Sequence, residues 1–546
     1  MSEPVRFTLD KNVPVAVRDG TVLRADVFRP SEPGRHPVIL TYGPYGKDIH
    51  WQDFSPPTYQ LIDEHGPYMA WETVNPEWWV PRGYVVIRVD QRGTGASPGR
   101  MELFGPQEYE DLYDAIEWAG TQEWSNGRVG LLGVSYYAMN QWHVAAMRPP
   151  HLAAIVPWEG AVDLYRDWAY HGGIHSNLFT DEWWPRQITG NQSALPPGAE
   201  NPRAAIAGNA DLPADLRAHP LCDDFYAARE ADLSKIDVPV LSAGNWTGYA
   251  LHLRGNIEGY LAAGTEHKWL RVHSGNHFTP FYTEESRLYQ KRFLDRWLKD
   301  DEDAWRDEPP VRLFIRDSHD GGRWRAENEW PIARTRWTKY HLDAHTGSLG
   351  AETPERAGTV SHPAPGGATT FLTAPFPEDT EITGPIALYV WVSCDAQDMD
   401  LFVTITNVDP SGKELTYEDV SGIGNRGPVV KGWLRVSHRE LDEERSLPYR
   451  PYHRHRRRLP ITPGEPVLAA VEIRPTSMVY AAGHRLGLVI GAQDRADPSR
   501  FLHNDPKDRD EKIFSGVNVI HTGGDLDSYL LLPIIPPAGA SDEPQG

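Results

Sequence analysis

The sequence predicts an α/β domain followed by an all-β sandwich, and three observations carry that reading. Short apolar runs alternate with amphipathic helical segments as far as Glu308. One of those runs ends on a serine that leads straight into a helix. After Glu308-Pro309-Pro310 the helical patterns give way to short strands divided by Gly and Pro. A chain of 546 residues also exceeds one hydrophobic core, which requires more than one domain.

Taken in order, Pro37–Tyr42 and Tyr84–Val89 are short apolar runs of the kind that parallel strands buried on both faces require. Between Tyr109 and Ala119, Leu112, Ala115, Ile116 and Ala119 share one helical face, and Asp111, Asp114 and Glu117 the other. Arg128–Val134 is a strand ending at Ser135, with a helix predicted from Ala138 to Met147, and Leu152–Glu159 is a further strand. From about 160 to 235 the rhythm breaks into Trp- and Tyr-rich segments and then a more helical stretch around Asp211 to Ala231, as an insertion over the sheet edge would. It resumes with the strand Val238–Ala243, a helix near 249–263, the strand Lys268–His273 and a helix from Glu284 to Lys299. A parallel sheet with right-handed crossovers is expected. Val311–Arg316, Ala387–Val392, Leu401–Thr406, Val467–Ile473 and Arg485–Ile490 then read as strands of a jelly-roll sandwich.

Composition narrows the function. A net charge of −22 argues against nucleic acid and anionic membrane as partners. Two cysteines, Cys222 and Cys394, provide no disulfide framework and suit a reducing compartment. With neither a signal-like N-terminus nor an apolar run long enough to span a bilayer, a cytoplasmic protein is expected. His453-Arg454-His455-Arg456-Arg457-Arg458 reads as a solvated loop between prolines. His453 and His455 lack the partnered Cys or carboxylate that a metal site needs, so neither metal nor cofactor is expected. The 20 tryptophans cluster early, at Trp71, Trp78, Trp79, Trp158, Trp168, Trp183 and Trp184. Most belong to packing, and a minority could line an apolar pocket.

Ser135 is the residue with chemistry. A serine at a strand-to-helix bend projects its hydroxyl off the sheet, and the next backbone N–H groups open a helix whose dipole favours negative charge. That arrangement suits attack on a carbonyl and stabilisation of the resulting oxyanion.

Further segments carry a family resemblance. Val15–Pro30 resembles the N-terminal hairpin of the CocE/NonD hydrolases, a family of esterases and X-Pro dipeptidyl-peptidases. Gly43-Pro-Tyr45-Gly-Lys47, Val89–Gly99, Asp163-Leu-Tyr165, Pro475-Thr-Ser477, Ala482–Arg485 and His521–Gly524 are similar to the same family. The likeness runs from about residue 10 to 535. It implies an α/β-hydrolase fold in two parts, 1–159 and 236–308, a mostly helical cap insertion at 160–235, and a C-terminal β jelly-roll domain at 309–546. Through that jelly-roll it also allows a homodimer.

By the same resemblance Ser135 is the nucleophile of a G-x-S-Y-x-G motif in which Ala138 replaces the last glycine. Tyr45 falls on the tyrosine whose hydroxyl helps hold the oxyanion, with the backbone N–H of Tyr136 as second donor. His277 falls on the base, and His273, inside the preceding strand, is its competitor. Thr247 stands where the family has its aspartate, in Gly244-Asn-Trp-Thr247-Gly, and a threonine cannot supply the charge that orients an imidazolium. Glu159, at the end of the neighbouring strand, is the candidate replacement; its alternative is a salt bridge at the base of the cap. The pair Asp90 and Arg92 reads as structural, holding a loop beside Ser135.

Three functions follow. The first is a serine hydrolase that cleaves a carboxylic ester or amide of a small molecule or short peptide through an acyl-enzyme. The second is a dipeptidyl-peptidase that anchors a substrate ammonium on Asp167, Asp181 or Glu182. The third, motivated by Thr247 and Ala138, is an inactive relative that binds a ligand.

Overall fold

A computed structural model of the chain describes residues 7–190, 209–317, 321–422, 424–496 and 500–537. Part of the expected cap, 191–208, lies outside the described residues. The chain divides into two compact units. The first comprises Met1–Asp167, Phe179–His219 and Asp224–Pro310; the second comprises Trp168–Leu178, Pro220–Asp223 and Val311–Gly546.

The first unit is built on a mixed sheet. Its strands are β1 (Phe7–Ala16), β2 (Val22–Pro30), β3 (His36–Gly43), β4 (Val85–Asp90), β5 (Ser125–Val134), β6 (Leu152–Trp158), β7 (Val240–Asn245) and β8 (Lys268–His273). Within this unit they lie in the order β1-β2-β4-β3-β5-β6-β7-β8. β3 to β8 pair in parallel, as the apolar runs predict. The N-terminal hairpin pairs antiparallel and joins β4 antiparallel as well, which makes the sheet mixed. Every residue of β4 and β7 is buried, the pattern of strands covered on both faces. Full burial of one Val, Leu or Ile side chain contributes about 1.5–3 kcal/mol, so these strands supply much of the unit's cohesion.

Four helices matter for the site: α1 (Pro106–Gly120), α2 (Tyr136–Ala146), α3 (Leu253–Ala262) and α4 (Glu284–Leu298). α1 begins with Pro106 at its first position, where the missing N–H has no helical partner to lose. It buries Leu112, Ala115, Ile116 and Ala119 as the periodicity predicts. Asp111, expected on its solvent face, is instead fully buried and receives two hydrogen bonds from Arg92, at 2.7 and 2.8 Å. Asp90 and Arg92 therefore do not pair with each other. Asp90 accepts from the backbone N–H groups of Lys47 and Ala96 and lies 3.8 Å from the Lys47 ammonium. The loop beside Ser135 is thus pinned by two separate ion pairs, because each residue has a closer opposite charge. α2 is buried from Tyr136 through Ala145.

The segment expected to form the cap contains short helical pieces, among them Asn177–Trp183, Leu212–Ala218 and Asp224–Ala227.

The second unit is rich in β structure. Val311–Arg316 and Gly322–Glu327 form an antiparallel hairpin. Thr380–Cys394 pairs antiparallel with both Val467–Tyr480 and Tyr529–Ile535. Asp400–Val408 lies between Val430–Arg435 and Arg485–Gly491. The basic run alternates here. His453 and His455 are buried while Arg454, Arg456, Arg457 and Arg458 are exposed, so only the arginines are solvated as expected. His455 Nδ1 lies 3.1 Å from His438 Nδ1. Cys222 and Cys394 are buried and form no disulfide. No described helix is long and apolar enough to cross a membrane.

Candidate active site

β5 ends at Ser135, whose backbone is held at φ 59° and ψ −113°. A non-glycine residue in such a conformation is strained by about 1–3 kcal/mol and persists only where its surroundings impose it. They do so here. The Ser135 N–H donates to the carbonyl of Trp158 on β6, and its own carbonyl accepts from Ala138 and Met139 as α2 begins. Gly133 is required two residues earlier, since a Cβ there would lie 2.5 Å from Cβ of Tyr137. Ala138, in place of the motif's last glycine, is accommodated across the elbow by Gly160: a Cβ on Gly160 would meet that of Ala138 at 2.7 Å.

Three histidines and two glutamates gather next to this serine, all of them buried. Ser135 Oγ lies 3.2 Å from Nε2 of His252. The His252 ring stacks parallel to that of His277, with centroids 5.1 Å apart. His277 Nδ1 donates to Glu159 Oε2 at 2.7 Å, and its Nε2 meets Glu72 Oε1 at 3.1 Å. His273 Nε2 donates to the other oxygen of Glu159 at 2.8 Å, where Asn245 Nδ2 also donates at 3.2 Å. Glu159 is thus the hub, fully buried and tied to β7 through its N–H on the carbonyl of Ala243.

Carboxylates only accept, so the hydrogens in these bonds belong to the imidazoles. Burial alone would lower the pKa of His277, but Glu159 and then Glu72 outweigh it and hold the imidazolium up at about 10. Glu159 shows the converse. Burial pushes its carboxyl up, and the charges and hydrogen bonds of His277 and His273 bring it down to about 2. Burial raises Glu72 above the ordinary carboxylate value despite its bond to His277. His252 is pushed down to about 3, first by burial and then by the neighbouring His277 charge. Its Nδ1 is buried without a hydrogen-bond partner. His252 therefore meets the serine as a neutral ring with no carboxylate behind it.

Thr247 explains how the site does without the usual aspartate. Its hydroxyl donates to the carbonyl of Gly275 at 2.6 Å, and Asn245 Nδ2 donates to the same carbonyl at 2.9 Å. The turn that would carry an acid ties down the loop leading to His277, while Glu159 brings the charge from β6.

Tyr45 follows β3 and is packed among the rings of Phe54, Trp71, Tyr136, Tyr137 and Trp183, all with centroids 5.6–6.4 Å away. Its hydroxyl accepts from Trp183 Nε1 at 3.1 Å, and burial keeps the phenol neutral. A neutral phenol that accepts one hydrogen bond still has its own proton to donate. The backbone N–H of Tyr136 opens α2, and its side chain is anchored by a 2.6 Å bond to Glu108. Trp71 extends the aromatic wall to Phe278, which packs on His277.

Sequence reasoning missed His252 and Glu72. His252 lies in no motif. Glu72 left one signal, a lone carboxylate inside the apolar run Met69-Ala-Trp-Glu-Thr-Val74. The acidic residues considered as ammonium anchors are engaged elsewhere: Asp167 with Arg254, Asp181 with Arg217, and Glu182 with Arg186. Donor atoms of Glu159, His252 and His277 come within 4.8 Å of one another, the spacing a metal ion would use. Glu159 already accepts from three N–H groups and both His277 nitrogens are bonded to carboxylates, so the cluster reads as a hydrogen-bonded acid–base group and not as a ligand set.

Residues 19–279 match the X-Pro dipeptidyl-peptidase (S15) family, and residues 303–531 match the X-Pro dipeptidyl-peptidase C-terminal non-catalytic domain. The cocaine esterase of Rhodococcus sp. strain MB1 Bresler is 25% identical, over 97% of this chain and 99% of its own. The crystal structure of a CocE/NonD family hydrolase from Staphylococcus aureus superposes with a TM-score of 0.89 at 33% identity, over 97% of this chain and 94% of its own. An aminopeptidase from a marine sediment Thaumarchaeota archaeon shares the fold, with a TM-score of 0.75 at 17% identity over 98% of both chains.

Proposed function

Because the chain belongs to the CocE/NonD family of serine hydrolases, we propose that Ser135 is the nucleophile with which it cleaves carboxylic esters or amides. The observation that carries this is the strained Ser135 elbow, with a buried imidazole 3.2 Å from its hydroxyl and a Glu159–His277 pair stacked behind that imidazole. In this reading His277 is the base and Glu159 the acid that orients it. Nδ1 of His277 is fixed on Glu159, which leaves Nε2 as the nitrogen that takes the serine proton. His252 orients the hydroxyl; with no carboxylate on its Nδ1, it lacks the support that a charged imidazolium needs. The tetrahedral oxyanion is held by the Tyr45 hydroxyl and the Tyr136 N–H. His277 then protonates the leaving group, and water releases the acyl group. The two units are read as an α/β-hydrolase core with a cap insertion and a jelly-roll.

Esterase activity on aromatic or apolar substrates is favoured over dipeptidyl-peptidase activity. The wall of Tyr45, Trp71, Trp183 and Phe278 supports it, as do the ion pairs that occupy Asp167, Asp181 and Glu182. A fluorophosphonate probe should label the wild type and not Ser135→Ala. A folded wild type that stays unlabelled refutes the nucleophile and favours a ligand-binding relative. p-Nitrophenyl esters assayed beside Xaa-Pro-anilides then separate the two activities, with faster turnover of the esters expected.

A further inference from the structure

Glu72 has no place in the chemistry just described, yet three features set it apart. Its backbone, at φ 57°, shares the left-handed region with Ser135 at 59° and Glu159 at 51°. That region disfavours side chains with a Cβ, and strained positions of this kind concentrate at functional sites. Glu72 is also strapped to the elbow. Its carbonyl accepts the N–H of Val134, and Thr73 forms a bridge to Gly133. Finally, its carboxylate, 3% exposed, occupies the nitrogen that has to receive the serine proton.

Resting on the assignment of His277 as base, we propose that Glu72 is a positioning residue that latches this base: its carboxylate holds Nε2 of His277 in the resting site and yields that nitrogen when substrate engages Ser135. The proton count is simple. With Nδ1–H on Glu159 and Nε2–H on Glu72, the ring is an imidazolium and has no lone pair to offer. The Nε2 proton leaves to water, against the attraction of the Glu72 carboxylate, and the ring becomes a neutral imidazole. The Ser135 proton then moves to the vacated lone pair as Oγ bonds to the acyl carbon.

The charged and titratable groups around the latch extend beyond the histidines and glutamates: buried Arg88 donates to the carbonyl of Val74, two residues from Glu72, and faces Tyr137 and Tyr282. Glu159, His252 and His273 surround His277, while Tyr45, Tyr137 and Tyr282 feel the charge of Glu72. Burial raises the Glu72 carboxyl, and its hydrogen bond and attraction to His277 oppose this.

The test is the pH dependence of kcat/KM, which reports ionisations of the free enzyme. Glu72→Gln keeps an acceptor for Nε2–H and removes the charge that retains the proton. Its rising limb should move at least one pH unit lower than the wild type's, so that kcat/KM at a pH on that limb increases about tenfold. The limb in kcat should move less, because bound substrate has already displaced the carboxylate. Superimposable wild-type and Glu72→Gln profiles overturn the proposal. Should the variant fail to fold, ¹⁵N-histidine NMR of the wild type decides. Nε2 of His277 protonated at neutral pH supports the latch, and a bare Nε2 overturns it. A wild type labelled by fluorophosphonate whose profile is unmoved by Glu72→Gln loses the latch and keeps the nucleophile; an unlabelled wild type loses both.

Discussion

At the residue scale, the site turns on where its negative charge sits. Glu159 accepts from His277, His273 and Asn245 at once and is fully buried, and the two imidazoles hold it in its ionised form. Replacing it with Gln keeps the shape and removes the charge. The expected result is a fall in kcat of about 10⁴, the scale seen when a triad carboxylate loses its charge. Near wild-type turnover in a folded Glu159→Gln variant would refute its role as the acid. Tyr45→Phe removes the proposed oxyanion donor and leaves the ring packing intact, so kcat should drop by about 10²–10³ with KM little changed. Steady-state kinetics on the best p-nitrophenyl ester check both. An unchanged kcat in Tyr45→Phe would exclude the phenol from the oxyanion site.

Elements, rather than single contacts, hold Ser135 in its strained conformation. The elbow works because β5, β6 and α2 meet with no room to spare, and Ala138 and Gly160 share that space as a pair. Gly160→Ala should overpack the junction and cost about 1–3 kcal/mol. Adding Ala138→Gly should recover only part of this loss, because it removes the meeting of the two Cβ atoms and leaves the backbone carbonyl carbon of residue 138 at 2.9 Å. Urea unfolding of the two single variants and the double variant measures the coupling. Additive effects would mean that the two positions do not share space. The same scale accounts for Thr247. Its turn ties down the loop that leads to His277, and the acid proposed here, Glu159, lies one strand along at the end of β6.

Across the whole molecule, the buried acid–base cluster couples stability to pH. Glu159 lies at about 2, below its ordinary 4.5, so its contribution is complete above 4.5 and is lost as pH falls toward 2. His277 lies at about 10, above its ordinary 6.5, so its contribution is complete below 6.5 and is lost as pH rises through 10. The gap in Tm between wild type and Glu159→Gln should therefore be widest between pH 4.5 and 6.5 and narrow on both sides. A gap that does not vary with pH would show that the pair is not ionised in the native state. Differential scanning calorimetry across this range provides the measurement.

Much of this was legible in the chain. Short apolar runs, one amphipathic helix and the Gly-x-Ser bend announced β3 to β8, α1 and Ser135, because those signals are local and each residue carries its own propensity. Glu159 could be named from its place at a strand end, since strand ends of a parallel sheet converge on one edge. His252 and Glu72 could not. Their importance comes from a 3.2 Å approach to Ser135 and a 3.1 Å bond to His277 across 117 and 205 residues of chain, and no local pattern records such distances. The expected pairing of Asp90 with Arg92 fails for the same reason: each finds its partner elsewhere, in Lys47 and in Asp111. The sequence by itself determined which segments become strands and helices and which serine is bent outward, because burial and backbone preference act over a few residues. Only the tertiary structure decided which nitrogen meets which oxygen, because in a dry interior electrostatics follows distance and not order along the chain.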